Sequence, residues 1–450
     1  MTVSDLMVRT KPVLRSVVRA TLGRLPRSSS RLTGPLARDG GQPVRNVRLR
    51  PWASVNDENR SRWRTEVGAM FRRIYVSGVE GLPQPLAERF AQDWASYCGC
   101  RYGILVGHGT DALRIGLAAA LDHDGLDYGG EIIVPNFSFI ASATAPLDRR
   151  FGVTLVDVDE GTLLLDPARV EEAIVPGKTR AVLAVHLFGQ PADMTALKAV
   201  ADKHGLKLIE DAAQAHGAAW QTGPVGSLGD VAGFSFQSSK NLASGEGGAL
   251  TTNDEKLFDR AYSMHNTGRS RVDGGRWDHV ALGWNCRITE YQAGLLIHRL
   301  SSFDRQQATR KSNFQYLRDL MHSVQCLKPL ALSSGTRAHG MYMFAMRYRQ
   351  EHCGGLSLEG FLDLVHAEGA PIYRAFAATM SDQPAIRHLM ATRPEYFRKL
   401  PTPVADQAAK DTVYIPQNVF LGTAEDMEDI AGAIKKVEVH RSKRASSECL

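Results

Sequence analysis

The 450-residue chain reads as an α/β protein, with a large domain on a mostly parallel seven-stranded sheet between helices and a smaller α+β domain after it. Three observations carry that reading. Short β-branched runs recur roughly 25 residues apart between residues 104 and 252. Amphipathic helical stretches fill the intervals. Near residue 300 the pattern changes to a long polar helix followed by alternating strands and helices.

The strands are I-L-V (104–106), E-I-I-V (131–134), V-T-L-V-D-V (153–158), A-V-L-A-V (181–185), L-K-L-I-E-D (206–211), V-A-G-F-S-F (231–236) and G-A-L-T-T (248–252). Such apolar runs, spaced for crossover helices, belong in a sheet covered on both faces. Between them helices start near Thr110, Phe139, Pro167 and Asp193, and an earlier helix over 85–97 places Leu86, Phe90 and Trp94 on one face. Beyond the sheet come one helix over 290–325, a strand over 341–348, and helices over 357–368 and 423–437. The expected organisation is a basic extension (1–35), a large α/β domain with an N-terminal helical arm (36–300), a small α+β domain (301–437) and a frayed polar tail (438–450).

Composition narrows the function class. The net charge of +6 is local: residues 1–50 hold ten Arg and one Lys against Asp5 and Asp39, which leaves the other 400 residues near −3. The body is therefore not basic, and nucleic acid is not an expected partner. The Arg- and Ser-rich start reads as a poorly ordered extension, with a transit-peptide mimic or a basic arm for an acidic surface as alternatives. No apolar run approaches the ~20 residues of a bilayer span, so no membrane role is expected. Six dispersed cysteines make no disulfide scaffold, and Cys98 and Cys100 lie too close for a C-x-x-C pair. A reducing, cytoplasmic setting and no metal site are expected.

Parallel sheets bind ligands beyond the carboxyl ends of their strands, so candidate chemistry is sought in the first residues after each one. V-G-H-G-T-D-A-L (106–113) combines a tight Gly turn with a helix start at Thr110 and Asp111, a seat for a phosphate, although either residue also suits a plain N-cap. V-P-N-F-S-F-I-A-S (134–142) brings two aromatics to the same rim, where one can cover a planar ring or both can be core. I-E-D-A-A-Q-A-H-G (209–217) ends a buried strand in Asp211, which calls for a positive partner such as a protonated pyridine nitrogen unless it caps a helix; Gln214 faces the same side. F-S-F-Q-S-S-K-N-L-A-S-G-E-G-G-A-L (234–250) carries Ser235 and then Lys240 in a small-residue loop closed by Gly245, Gly247 and Gly248, a setting for an amine that attacks aldehydes. Phosphate seat, ring cover, carboxylate and aldehyde-trapping amine on successive turns of one sheet match the needs of pyridoxal phosphate.

Over roughly residues 36–437 the chain resembles the DegT/StrS-type sugar and cyclitol aminotransferases of the aspartate-aminotransferase fold, fold type I. The resemblance rests on these motifs together with H-L-F-G-Q-P-A-D-M (186–194) and G-W-N-C-R-I-T-E (283–290). It implies that Lys240 binds the cofactor covalently, that Asp211 partners the pyridine nitrogen, that Phe139 stacks on the ring and that Gln214 sits by the ring hydroxyl. It further implies phosphate contacts from Thr110, Asp111 and Ser235, and a homodimer in which Asn285 reaches the neighbouring subunit's phosphate. Phe188, Arg269, Arg287 and Arg347 are the candidate substrate contacts, with a structural ion pair as the favoured alternative for each arginine. His108 departs from the family's usual Ser or Asn, and Lys240 stands where the dehydratase branch has His, which favours amino transfer. The implied reaction moves an amino group from glutamate or glutamine to a keto sugar or keto-cyclitol in secondary metabolism. G-G-Q-P-V-R (40–45) points to the cyclitol or aminohydroxybenzoate branch. The rivals are a dehydratase or lyase of the same family and a non-catalytic cofactor-binding regulator.

Overall fold

The computed structural model describes residues 34–48, 50–54, 63–80, 84–271 and 278–448. The basic extension thus lies almost wholly outside the described residues. Helix α1 (Gly68–Ser77) leads to α2 (Pro85–Tyr97), whose first-turn N–H groups at Leu86 and Ala87 donate to the Glu290 carboxylate at 3.0 Å each.

Strands and helices then alternate: β1 (Tyr102–Val106), α3 (Gly109–Leu121), β2 (Glu131–Pro135), α4 (Ala141–Asp148), β3 (Gly152–Val156), α5 (Pro167–Ala173), β4 (Thr179–Val185), α6 (Met194–His204) and β5 (Lys207–Asp211). Local chemistry sets the helix starts. Asp166 accepts from Ala168 N ahead of Pro167, and Asp193 accepts from Ala196 N, so orphan N–H groups are satisfied by side chains one residue before each helix. A short hairpin, β6 (Ala219–Trp220) and β7 (Gly223–Pro224), precedes β8 (Val231–Ser235) and β9 (Gly248–Thr252), and α7 (Glu255–His265) follows.

The helix expected over 290–325 is two, α8 (Glu290–Leu300) and α9 (Phe303–Leu320). Ser301 and Ser302 turn their hydroxyls onto the carbonyls of His298 and Arg299, competing with helical bonding. The break lets the buried Phe303 ring pack edge-on against Trp94 and Tyr97. The second half continues with β10 (Leu327–Pro329), β11 (Thr336–Ala338), β12 (Met343–Tyr348), α10 (Leu358–Ala367), β13 (Tyr373–Arg374), α11 (Pro384–Thr392), β14 (Phe397–Lys399), α12 (Pro403–Asp411), β15 (Thr412–Pro416) and α13 (Ala424–Glu448). Helix α13 runs past the expected stop near 437 because Glu438 faces inward and accepts from Gln325 N and Cys326 N.

The large sheet has the order β1-β9-β8-β5-β4-β2-β3-β14. The seven expected strands are present, and β14, from the C-terminal half, adds an eighth in parallel beside β3. Strands from β8 through β5, β4, β2 and β3 run parallel, whereas β9 is antiparallel to both β1 and β8. Gly248 faces Val106 on one side and Ser235 on the other, so β9 draws the two rim turns together. A second sheet, β10-β12-β15-β13, packs with α9, α10 and α13 around its own apolar cluster.

The segment after residue 34, expected to belong with the large domain, docks on this second unit. Leu36 and Val44 enter its core, and Glu368, fully buried, accepts from Ala37 N (2.7 Å), Val44 N (3.1 Å) and Lys436 Nζ (2.9 Å). Arg45 reaches Asp426 at 2.5 Å and Asp429 at 3.1 Å, and its guanidinium lies 3.7 Å from the Trp52 ring centre. In Glu368→Ala these donors and a buried ammonium lose their partner, so a loss of about 3–5 kcal/mol is expected. Urea unfolding followed by fluorescence checks it; an unchanged midpoint would show that the segment is not held through Glu368.

Candidate active site

Where the carboxyl ends of β5 and β8 meet α3, α4 and the second unit, the chain encloses a cavity of about 530 Å³, within the range of small-molecule and cofactor sites. Eight residues singled out from sequence line it: Thr110, Asp111, Phe139, Phe188, Asp211, Gln214, Ser235 and Lys240.

The phosphate-seat candidate is the start of α3. His108, in extended conformation, occupies the N-cap position, so Thr110 and Asp111 lie inside the first turn. The first helical bond comes from Ala112 N to His108 O, and the N–H groups ahead of it are left for an anion. The Asp111 carboxylate is engaged by Arg114 at 2.9 Å. What Asp111 offers an anion is therefore its backbone N–H. Gly109 is a close-approach position: a Cβ there would stand 2.8 Å from Ser235 Cβ. His108 contributes its ring to the rim, with Nδ1 3.2 Å from the Glu246 carboxylate.

Asp211 ends β5 almost fully buried. Burial pushes its carboxyl above the ordinary aspartate value; the Ser142 hydroxyl, donating at 2.7 Å, and Ala213 N, at 3.2 Å, pull the other way, as do the fields of Lys240 and His186. No helix follows, so Asp211 caps a turn. Gln214 accepts from Phe188 N at 2.8 Å, which fixes the amide and leaves its NH₂ group to the cavity.

The loop bearing Lys240 is folded by its own backbone: Phe236 N donates to Gly247 O, Ser238 N to Gly245 O and Lys240 N to Gln237 O. Gly245, at φ +91°, supplies the left-handed step of this return. Lys240 Nζ lies 3.4 Å from Tyr342 Oη and 4.4 Å from the centre of that ring. No parallel strand end marks Tyr342, which comes from the loop before antiparallel β12, nor the other lining aromatics Phe376, in the loop after β13, and Tyr414, on antiparallel β15.

The remaining candidates do not line the cavity of this chain. Arg347 is clamped by Asp411 through two bonds of 2.5 and 2.8 Å, an ion pair inside the second unit, which removes it as a substrate contact. Arg287 donates to Asn266 Oδ1 at 2.8 Å, and burial, then neighbouring Arg269, push it below the ordinary arginine value. Asn285 is exposed beside them, its backbone bridged to Asn266.

A buried carboxylate short of donors, an amine across the cavity, free helix N–H groups and a 58 % exposed Phe139 ring at the mouth suit a phosphorylated pyridine aldehyde. The sequence pattern described as the DegT/DnrJ/EryC1/StrS aminotransferase family matches residues 65–435. L-glutamine:2-deoxy-scyllo-inosose aminotransferase of Streptoalloteichus tenebrarius is 36 % identical over 430 residues, covering 90 % of this chain and 98 % of that one. The protein of the same name from Streptomyces fradiae is 34 % identical, covering 91 % and 99 %. Among solved structures, S. venezuelae DesV superposes with a TM-score of 0.74 at 30 % identity, covering 86 % and 98 %. These matches fix the reaction class as amino transfer and the cofactor as pyridoxal 5′-phosphate.

Gly109→Ala forces α3 and Ser235 apart at the phosphate seat. Its affinity for pyridoxal phosphate should fall about tenfold or more, which is ~1.4 kcal/mol or more. Equilibrium dialysis checks this, and retained affinity with an unchanged circular dichroism spectrum would move the phosphate elsewhere.

Proposed function

Since the chain belongs to the DegT/DnrJ/EryC1/StrS aminotransferase family, we propose that it transfers the amino group of glutamine to an uncharged keto-cyclitol of the scyllo-inosose kind. The observation that carries the acceptor class is the charge of the cavity. Among its described lining residues the cationic side chains are Lys240 and, when protonated, His108; the wall opposite the rim motifs is Phe188, Tyr342, Met343, Phe376 and Tyr414. Aromatic faces with phenol hydroxyls suit a polyol ring. A nucleotide-linked sugar would bring a diphosphate that finds no arginine among this chain's own described lining residues. The names of the two cyclitol aminotransferases support the same choice.

Bound pyridoxal phosphate supplies an aldehyde that carries the amino group and a ring that accepts the electrons of the broken C–H bond. The chain does the rest. The N–H groups of Gly109, Thr110 and Asp111, with the Ser235 hydroxyl, hold the phosphate, and Phe139 covers one ring face. Asp211 keeps a proton on the ring nitrogen, its charge confined by burial to that partner. Gln214, oriented by Phe188 N, meets the ring hydroxyl. Lys240 would hold the cofactor covalently, and its amine, when free, would serve as general base and acid at the donor's α-carbon. The hydroxyl of Tyr342 orients the Lys240 amine.

The working unit we propose is a homodimer. Val280 and Leu282 expose apolar side chains on the segment that carries Asn285, Arg269 and Arg287. In a second copy this segment would serve the neighbouring cavity, Asn285 at the phosphate and the arginines at the donor's carboxylate. The described cysteines are all free and buried, in keeping with a cytoplasmic setting.

Lys240→Ala should lose the cofactor's visible band on dialysis and about 10²–10⁴-fold of turnover. Borohydride reduction of the native protein followed by peptide mass mapping should place the fixed cofactor on Lys240. With glutamine as donor, keto-cyclitols should be aminated and nucleotide-linked keto sugars left untouched; the opposite preference would overturn the acceptor class.

A further inference from the structure

The second rim motif contains two serines, Ser138 and Ser142, that the roles above leave unused. Both are buried, and Ser142 sits in the first turn of α4, four residues after Ser138, with their oxygens 3.0 Å apart. The direction of this pair is set by chemistry. Asp211 is an acceptor when ionised, so the Ser142 hydroxyl proton is spent on the carboxylate at 2.7 Å. The Ser142 oxygen is then the acceptor for the Ser138 hydroxyl. Ser138 itself lines the cavity.

We infer that Ser138 and Ser142 form a polarised hydroxyl chain that acts as a positioning device, holding Asp211 ionised so that the proton of the shared Asp–pyridine contact stays on the ring. This deepens, and rests on, the reading of Asp211 as the partner of the ring nitrogen. Hydrogen bonds in series strengthen one another, and a bond to an ionised acceptor is stronger than one between neutral groups. The need is evident from the surroundings. Lys240 is the cation on the cavity side. On the side of β4, the His186 ring is engaged by Ala192 N at Nδ1 and by Glu210, 3.0 Å from Nε2, so it reaches Asp211 only through its field. Burial favours the protonated acid, and the Ser142 bond is the first interaction that opposes it.

Without the Ser142 hydroxyl, Asp211 becomes the stronger base and draws the proton off the ring nitrogen. The ring then accepts electrons less well. It also carries less positive charge, so the protonated form of the nitrogen joining Lys240 to the cofactor persists to higher pH. Ser142→Ala holoenzyme should therefore retain its full cofactor content, lose about tenfold in kcat, equivalent to ~1.4 kcal/mol, and shift the pH midpoint of the cofactor's visible band upward. Ser142→Thr, which keeps the hydroxyl, should restore both. Ser138→Ala, at the cavity wall where folding is least at risk, should give a smaller shift of the same sign. A wild-type midpoint and kcat in both alanine variants would overturn the chain. Asp211→Asn separates the two levels: it should raise the midpoint and abolish turnover. If it does neither, the reading of Asp211 itself fails; if it does both while Ser142→Ala does neither, only the hydroxyl chain fails.

Discussion

Two adjacent buried carboxylates at the end of β5 govern this molecule. Successive residues of a strand point to opposite faces, so Glu210 and Asp211 cannot share a partner. Glu210 faces the sheet's back and is saturated: Gly226, Leu228 and Gly229 donate their N–H groups at 2.8–2.9 Å, and His186 adds a fourth bond at 3.0 Å. Those bonds pin the turn before β8, which fixes where β8 enters the sheet and hence where Ser235 and the Lys240 loop emerge. Asp211 faces the front with far less support. A buried charge of that kind is tolerable only beside a cation. On the role proposed for Asp211, the front of the sheet is arranged around a positive group that the cofactor would bring, while the back is closed by backbone donors of the chain itself.

The same logic explains what the sequence made legible. Residues of the parallel sheet announce themselves because each strand end is a known distance from a Gly-rich or small-residue turn. Thr110, Phe139, Asp211, Gln214, Ser235 and Lys240 are all reached in that way. The far wall is different. Tyr342, Phe376 and Tyr414 sit on two loops and a strand of a mainly antiparallel unit, where no ligand rule marks a strand end, and an aromatic reads as ordinary core. The serine pair at 301–302 is equally quiet in a helix-period pattern, yet two hydroxyls bonded to their own preceding turn end one helix and start another. Strand β14 has three residues, too few to carry a periodicity. An ion pair is the favoured role of Arg347 in the sequence, but its partner is not legible there, because only packing brings Asp411 opposite.

Side-chain amides tie later segments to the rim of the large sheet. Asn136, at the end of β2, donates to Ser381 and Thr402 and accepts from Ser381 N. Asn241, next to Lys240, donates to Gly340 O and Gln307 Oε1, and Gln417 reaches Ser239 O from beyond β15. An amide gives and accepts at once, so it can tie a loop to a backbone without adding charge close to Asp211 and Lys240. Charged residues placed there would shift the balance between those two groups. Two ionic contacts of the second unit, Glu368–Lys436 and Arg45–Asp426, lie where the N-terminal segment docks.

A cavity whose described lining holds no arginine also bears on how one site serves two unlike substrates. The donor is a zwitterion whose carboxylate needs a cation; the acceptor, on our reading, is a polyol that needs none. A permanent arginine beside Lys240 would suit the first and leave an unpaired buried charge facing the second. Arg269 and Arg287 stand outside this chain's cavity, on a segment with exposed apolar side chains. Delivered across a dimer interface, such a cation can lie at the mouth, where it meets the donor's carboxylate while the acceptor's ring hydroxyls remain against Tyr342 and Tyr414. In the proposed dimer, separating the charge-reading element from the ring-reading wall in this way would let the two half-reactions share Lys240 and Asp211 without either substrate imposing its electrostatics on the other.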